Sequence, residues 1–311
     1  MKKDFWKEIK KPIIGLAPME GYTDSSFRRL CKEINPDIIL YTEFNSADAL
    51  HYKSEKSKKK FSFHQSELPL VAQIFGKHEE SFITATKFVE DMGFSAIDIN
   101  MGCPSKKVFR SNHGMALRKD HDHAFRLIEA VAQNTSLPVS VKTRLGLKDS
   151  SDLIDFCKGA EQAGADMICI HGRTYKEPYS GLADFDPIYE LKNNLSIPVL
   201  GNGGITSIED GMDKLGNLDG FLIGQASFGN PWVFLPTDKQ PKDFKEKISI
   251  IKKHAQYLIE DKGQKKAMLE IRKHLLAYVK GLRDARKWRR QLIHVTSLQE
   301  VGEVLELIAH S

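Results

Sequence analysis

Residues 96–104 read AIDINMGCP, a short apolar run that breaks into a Gly-Cys-Pro turn. Seven comparable runs share the first 225 residues: IIGLA (13–17), IILYT (38–42), LVAQI (70–74), VSVKT (139–143), MICIH (167–171), PVLGN (198–202) and GFLIG (220–224). Each is rich in Ile, Val or Leu and lacks strict alternation. That is the pattern of strands buried on both faces of a parallel sheet. Between them lie segments of helical spacing at residues 24–34, 79–92, 121–133, 151–163 and 206–215. Asp24 and Ser151 are the expected N-caps. Strands alternating with helices at roughly 30-residue spacing predict a (β/α)8 TIM barrel. An open doubly wound sheet accommodates eight such units less well.

After Pro231 the strand pattern stops. A linker is expected near Pro236 and Pro241, and the rest reads as a small all-α helical bundle. The expected division is a barrel over residues 1–236 and a basic helical domain over 242–311. Gly263 and Gly281 mark helix ends or kinks. The run KSEKSKKK (53–60) reads as a solvated loop.

The charge is unevenly spread. The chain has 311 residues and a net charge of +5, but residues 241–311 hold 16 Lys and Arg against 9 Asp and Glu. Between Lys262 and Arg290 there are 11 basic residues, opposed only by Glu270 and Asp284. A near-neutral body with a basic module points to a polyanionic partner for that module. No run approaches the 18 or so apolar residues of a membrane span. The basic N-terminus, MKKDFWKEIKK, is followed by no apolar signal core, so a cytoplasmic location is expected. The four cysteines show no metal-ligand spacing, and no metal site is expected.

In such a barrel the active site gathers at the C-terminal ends of the strands. Those ends are chemically loaded here. They carry Pro18, Met19 and Glu20 after the first strand, Gln73 on the third, and Asn100 and Cys103 on the fourth. Lys142 and Arg144 follow on the fifth, His171 on the sixth, Asn202, Gly203 and Gly204 on the seventh, and Gly224 and Gln225 on the eighth. Glycines after the last two strands suit a phosphate held by backbone N–H groups. Cys31, Cys157 and Cys169 read as buried apolar residues. Cys103 sits at the catalytic rim, where it could serve as an acid or, with a depressed pKa, as a nucleophile. The residues alone leave both open.

The motifs APMEGYTDSSFR, AQIFG, DINMGCPSKKV, VKTRLG, HGRTYKEPYSGLADF, GNGGI and IGQASFGNPW closely resemble, in the same order, those of the tRNA-dihydrouridine synthases. The resemblance runs from about residue 14 to residue 232, and the basic module lies where that family carries its tRNA-binding domain. It implies an FMN-dependent barrel that reduces the C5–C6 double bond of selected uridines in tRNA, with NADPH, or else NADH, as reductant. By motif, Cys103 corresponds to the acid that protonates C5. Pro18, Met19, Glu20, Gln73, Lys142, His171, Asn202, Gly203, Gly204, Gly224 and Gln225 correspond to flavin contacts. Asn100, Arg144 and Tyr179 correspond to contacts with the target base. Arg286, Lys287, Arg289 and Arg290, read from the charge of the basic module, are expected to meet the tRNA backbone. A monomer is expected.

Two positions depart from the family's pattern, which commonly has Arg where Gln225 stands and Asp where Gly204 stands. One charged phosphate hydrogen bond is worth about 1.5–3 kcal/mol, so weaker FMN retention is expected. The alternatives are an FMN oxidoreductase acting on a free pyrimidine, or a non-catalytic RNA-binding relative.

Overall fold

The computed structural model describes residues 4–177 and 181–311. Eight parallel strands form the barrel: β1 Ile13–Leu16, β2 Ile39–Tyr41, β3 Leu70–Phe75, β4 Ala96–Asn100, β5 Val139–Arg144, β6 Met167–His171, β7 Val199–Asn202 and β8 Gly220–Ile223. Each pairs with the next, and β1 pairs with β8, so the sheet closes. A two-residue strand, Asn45–Ser46, adds to β3 beyond the barrel proper. The expected TIM barrel is present.

Alternation sorts the strand residues. Ile13, Ala17, Ile39, Tyr41, Val71, Ala96, Met167, Cys169, Leu200 and Leu222 form the apolar filling of the barrel, joined by Trp6 from the short helix Phe5–Glu8. Their sequence neighbours, such as Leu16, Leu40, Ala72, Ile97, Val141 and Ile170, point outward into a larger core under the helices. Both strand faces are therefore apolar, which explains the unalternated runs.

The covering helices are α1 Ser25–Ile34, α2 Glu79–Asp91, α3 His121–Ala132, α4 Leu153–Gln162, α5 Asp186–Lys192 and α6 Ile208–Asp213. Asp24 caps α1 by accepting from the Phe27 N–H. Ser151 does not cap α4. Asp152 holds the N-cap position, while Ser151 is tied into a turn by Asp149. Residues 53–60 are also not a loop. Ser54 caps a short helix, Glu55–Lys59, and Lys60 pairs with Glu20 at 2.6 Å. A polar tract hid a helix there because its stabilising cap and ion pair lie outside the apolar periodicity.

Beyond the barrel come α7 Phe244–Lys262, α8 Gln264–Tyr278, α9 Ala285–Leu292 and α10 Leu298–Ala309. Gly263, at φ +75°, ends α7, and Gly281 lies in the turn after α8. These helices share a second apolar core that includes Trp232, from the segment before the expected linker. The module also docks on α1. Asp24 pairs with Lys262 at 2.6 Å, and the Arg29 guanidinium lies 3.7 Å from the Tyr257 ring centre.

Between α1 and the module sit two histidines. His254 and His274 are 0% and 1% exposed, with ring centres 4.5 Å apart. His274 stacks on Phe27 of α1, and His254 Nδ1 meets the Tyr278 hydroxyl at 3.0 Å.

Candidate active site

The interior parity that places apolar side chains low in the barrel places polar ones above them. Gln73, Asp98, Asn100, Ser140, Lys142, Arg144, His171 and Asn202 all follow that parity toward the C-terminal mouth. Four of them form one buried hydrogen-bonded chain. Ser140 Oγ donates to Asp98 Oδ1 at 2.6 Å, and Gln73 Nε2 donates to Asp98 Oδ2 at 2.7 Å. Asn100 Nδ2 then donates to Gln73 Oε1 at 3.0 Å. Asn100 Oδ1 accepts from the Cys103 N–H at 3.0 Å and the Gly102 N–H at 3.2 Å. Burial pushes the Asp98 carboxyl up to about 7, against the pull of the Ser140 and Gln73 bonds.

Cys103 is half-buried just past β4, whereas Cys31, Cys157 and Cys169 are buried, as expected. Burial raises the Cys103 thiol pKa, and the Ser105 N–H and the Arg144 charge offset this only in part. The thiol is therefore protonated at neutral pH, which favours the acid over the nucleophile. Arg144 lies over the same turn, donating from Nε to the Gly102 carbonyl at 2.9 Å and from Nη1 to the Thr174 carbonyl at 3.3 Å.

On the opposite side, Lys142 Nζ donates to Asn202 Oδ1 at 2.9 Å. Asn202 Nδ2 donates onward to the Leu222 carbonyl at 2.8 Å. Burial and the charges of Lys142, Arg144 and Arg173 depress the His171 pKa to about 2, so the ring is neutral. Gly203 and Gly204 turn away from β7 at φ +116° and +64°, a conformation that favours glycine. A Cβ at Gly203 would come within 2.7 Å of the His171 ring. At Gly224 a Cβ would touch Met19 Sδ at 3.4 Å, which brings the β1 and β8 ends together. Pro18 is half-buried at that same end.

Other expected site residues lie further out. The Glu20 carboxylate is exposed and faces Lys60. Gln225 is exposed at the start of a 3-10 turn, Gln225–Ser227. Tyr179 lies outside the described residues. Arg286, Lys287 and Arg290 are exposed on α9, and Arg289 is half-buried.

The sequence reading missed Asp98, Ser140 and Arg173 as site members. Asp98 carried a usable signal, because it is an acid in an apolar strand with the same parity as Asn100. Among the described residues, no cluster of His, Cys, Asp and Glu could hold a metal ion, and no helix is long and apolar enough to cross a membrane.

A polar rim with a half-buried thiol, on a barrel with an apolar floor, is the arrangement of a TIM-barrel protein with its site at the C-terminal mouth. The family model for dihydrouridine synthase (Dus) matches residues 15–311, which include the helical module. A protein from Pasteurella multocida named tRNA-dihydrouridine synthase B is 35% identical over 95% of this chain and 92% of its own. A probable tRNA-dihydrouridine synthase from Staphylococcus epidermidis is 32% identical over 98% of this chain and 96% of its own. One from Synechocystis, named probable tRNA-dihydrouridine synthase 1, is 33% identical over 93% and 84%. The chain belongs to the dihydrouridine synthase family, a family of oxidoreductases. Among solved structures, a FabK mutant from Thermotoga maritima aligns over 79% of this chain and 69% of its own, with a TM-score of 0.43 and 15% identity.

Proposed function

We propose that this protein is a tRNA-dihydrouridine synthase that reduces the C5–C6 double bond of uridines in tRNA. The observation that carries the proposal is the half-buried Cys103, its backbone N–H pinned by Asn100, at the mouth that Lys142, His171 and the Gly203–Gly204 turn share. That donor set fits FMN. Lys142 and Asn202 offer polar contacts to the ring and ribityl chain. The glycines after β7 and β8 leave room for a phosphate. Ala17 and Met19 lie beside Gly224, and Pro18 and Glu20 flank Met19 in the same segment. Gln73, with one N–H held by Asp98, keeps its second N–H for the ring edge.

When bound, FMN supplies the hydride that side chains cannot, and NADPH or NADH restores it. Uracil is a conjugated enone, so C6 accepts the hydride and C5 becomes basic. Cys103 Sγ gives its proton to C5 and regains one from solvent. Asn100, Arg144 and Tyr179 hold the base, which must leave its stack to enter the mouth. The exposed cations of α9, with Arg289 beside them, grip the tRNA backbone. The protein acts as a cytoplasmic monomer, with a catalytic barrel over residues 1–236 and a tRNA-binding domain over 242–311.

The test uses purified full-length protein. A visible flavin spectrum with FMN released on denaturation is expected, together with dihydrouridine in unmodified tRNA after incubation with NADPH. Nucleoside mass spectrometry reads the product. A colourless protein that added FMN cannot restore, and that forms no dihydrouridine, overturns the proposal in favour of an RNA-binding relative without redox chemistry.

A further inference from the structure

His171, Asn202 and Leu222 form one registered row across β6, β7 and β8. Two residues further along each strand direction stand Arg173, Gly204 and Gly224. The strands end at His171, Asn202 and Ile223, with adjacent strands about 4.8 Å apart, so the three segments leave the barrel side by side. The Arg173 side chain turns along this row, because a Cβ on Gly204 would lie 3.7 Å from its Nη2.

Its partners among the described residues are neutral. Nη1 meets His171 Nε2 at 3.1 Å, and Nη2 donates to the Gly181 carbonyl at 2.9 Å. Nε is buried without a partner, and no carboxylate among the described residues pairs with the guanidinium. His171 adds no charge of its own, since it is neutral and its Nε2 faces Arg173. Gln225, on the far side of the row, offers only a neutral amide. A half-buried guanidinium braced by two neutral acceptors keeps its charge and part of its planar N–H fork uncompensated. That fork matches the oxygens of a phosphate monoester.

We propose that Arg173 is the cationic ligand of the cofactor's phosphate, reaching it beside the Gly203–Gly204 turn from β6 rather than from the β8 end. The proposal rests on the flavin reading above and names a residue that reading did not use. His171 is then a positioning residue whose neutral ring aims the guanidinium.

FMN and riboflavin differ only by the phosphate, so their comparison isolates this contact. Full-length protein stripped of bound flavin is titrated with each, with flavin fluorescence as the readout. Wild type is expected to prefer FMN. Arg173→Ala should weaken FMN binding about 10- to 100-fold and leave riboflavin binding unchanged. Arg173→Lys should recover part of the loss, because it restores charge without the fork, and it carries the comparison if the alanine variant fails to fold. FMN affinity undiminished in the variants, or equal losses for both flavins, overturns the assignment while leaving the flavin reading intact. Failure of wild type to bind either flavin overturns the flavin reading itself, and the assignment with it.

Discussion

The Gln73 side-chain amide donates to the Asp98 carboxylate at 2.7 Å, between two residues with no exposed surface. In its ionised form the Asp98 carboxylate only accepts, so this bond then fixes which end of the Gln73 amide faces β4. The opposite end must then accept from Asn100, and Asn100 must present its oxygen to the Cys103 N–H. The direction of each bond up to the catalytic turn follows from one buried acid.

Asp98→Leu removes both acceptor oxygens with little change of shape. The Gln73 amide loses the partner that orients it, and the Cys103 turn shifts with it. Turnover at full flavin occupancy should fall, by up to about 100-fold if the thiol is displaced by an ångström. Occupancy is read by absorbance and turnover by dihydrouridine formation. Undiminished turnover in a flavin-loaded variant would count against the positioning role.

Cys103→Ala should retain flavin and tRNA binding and lose about 10²- to 10⁴-fold in turnover, the usual worth of a placed general acid. The thiol's raised pKa sets the pH profile. The acid form persists through neutral pH, and turnover falls as pH rises through that raised value. Single-turnover rates measured against pH check both statements. Full activity in the alanine variant removes Cys103 from the mechanism.

The buried pair His254 and His274 makes the contact between barrel and module sensitive to acid. Burial lowers the His254 pKa to about 4 and holds His274 well below its ordinary value. Asp24, Lys262 and Lys273 add opposing charges, with the Tyr278 hydroxyl and the Phe27 and Tyr22 rings completing the surroundings. The folded state resists protonation that the unfolded chain accepts. Stability from the neutral pair is therefore full above the unfolded value of about 6.5 and is lost as pH falls below it. Each histidine contributes at most about 1.4 kcal/mol per pH unit. His274→Phe should flatten the decline between about pH 6.5 and 4, as read by urea unfolding against pH. An unchanged decline in that variant would place the acid sensitivity elsewhere.

Arg286, Lys287 and Arg290 are exposed along α9, with Lys287 Nζ 4.4 Å from the Trp288 ring centre. Replacing all three with Ala should weaken tRNA binding and reduce the slope of log affinity against log salt by roughly 2. Filter binding over a salt series measures this. A variant with the parental slope would show that this face does not meet RNA.

The barrel was legible because its signals are local. Apolar runs, returns at Gly and Pro, and the caps at Asp24 and Gly263 each depend on a few neighbouring residues. The place of Cys103, Lys142 and His171 at strand ends followed from the same runs. The Glu55–Lys59 helix was missed because a cap and an ion pair, not apolar periodicity, hold it.

By itself the sequence determined the closed parallel barrel, the basic helical module and the row of polar residues at the mouth. Those depend on alternation and turn chemistry, which act over short stretches of chain. Only the tertiary structure decided that Asp98 meets Gln73 across β3 and β4, that His254 faces His274 from another helix, and that Arg173 lies beside Gly204. Such partners are chosen by strand register, helix docking and barrel closure, because a buried polar group must bond to whatever the fold brings within 3 Å or so.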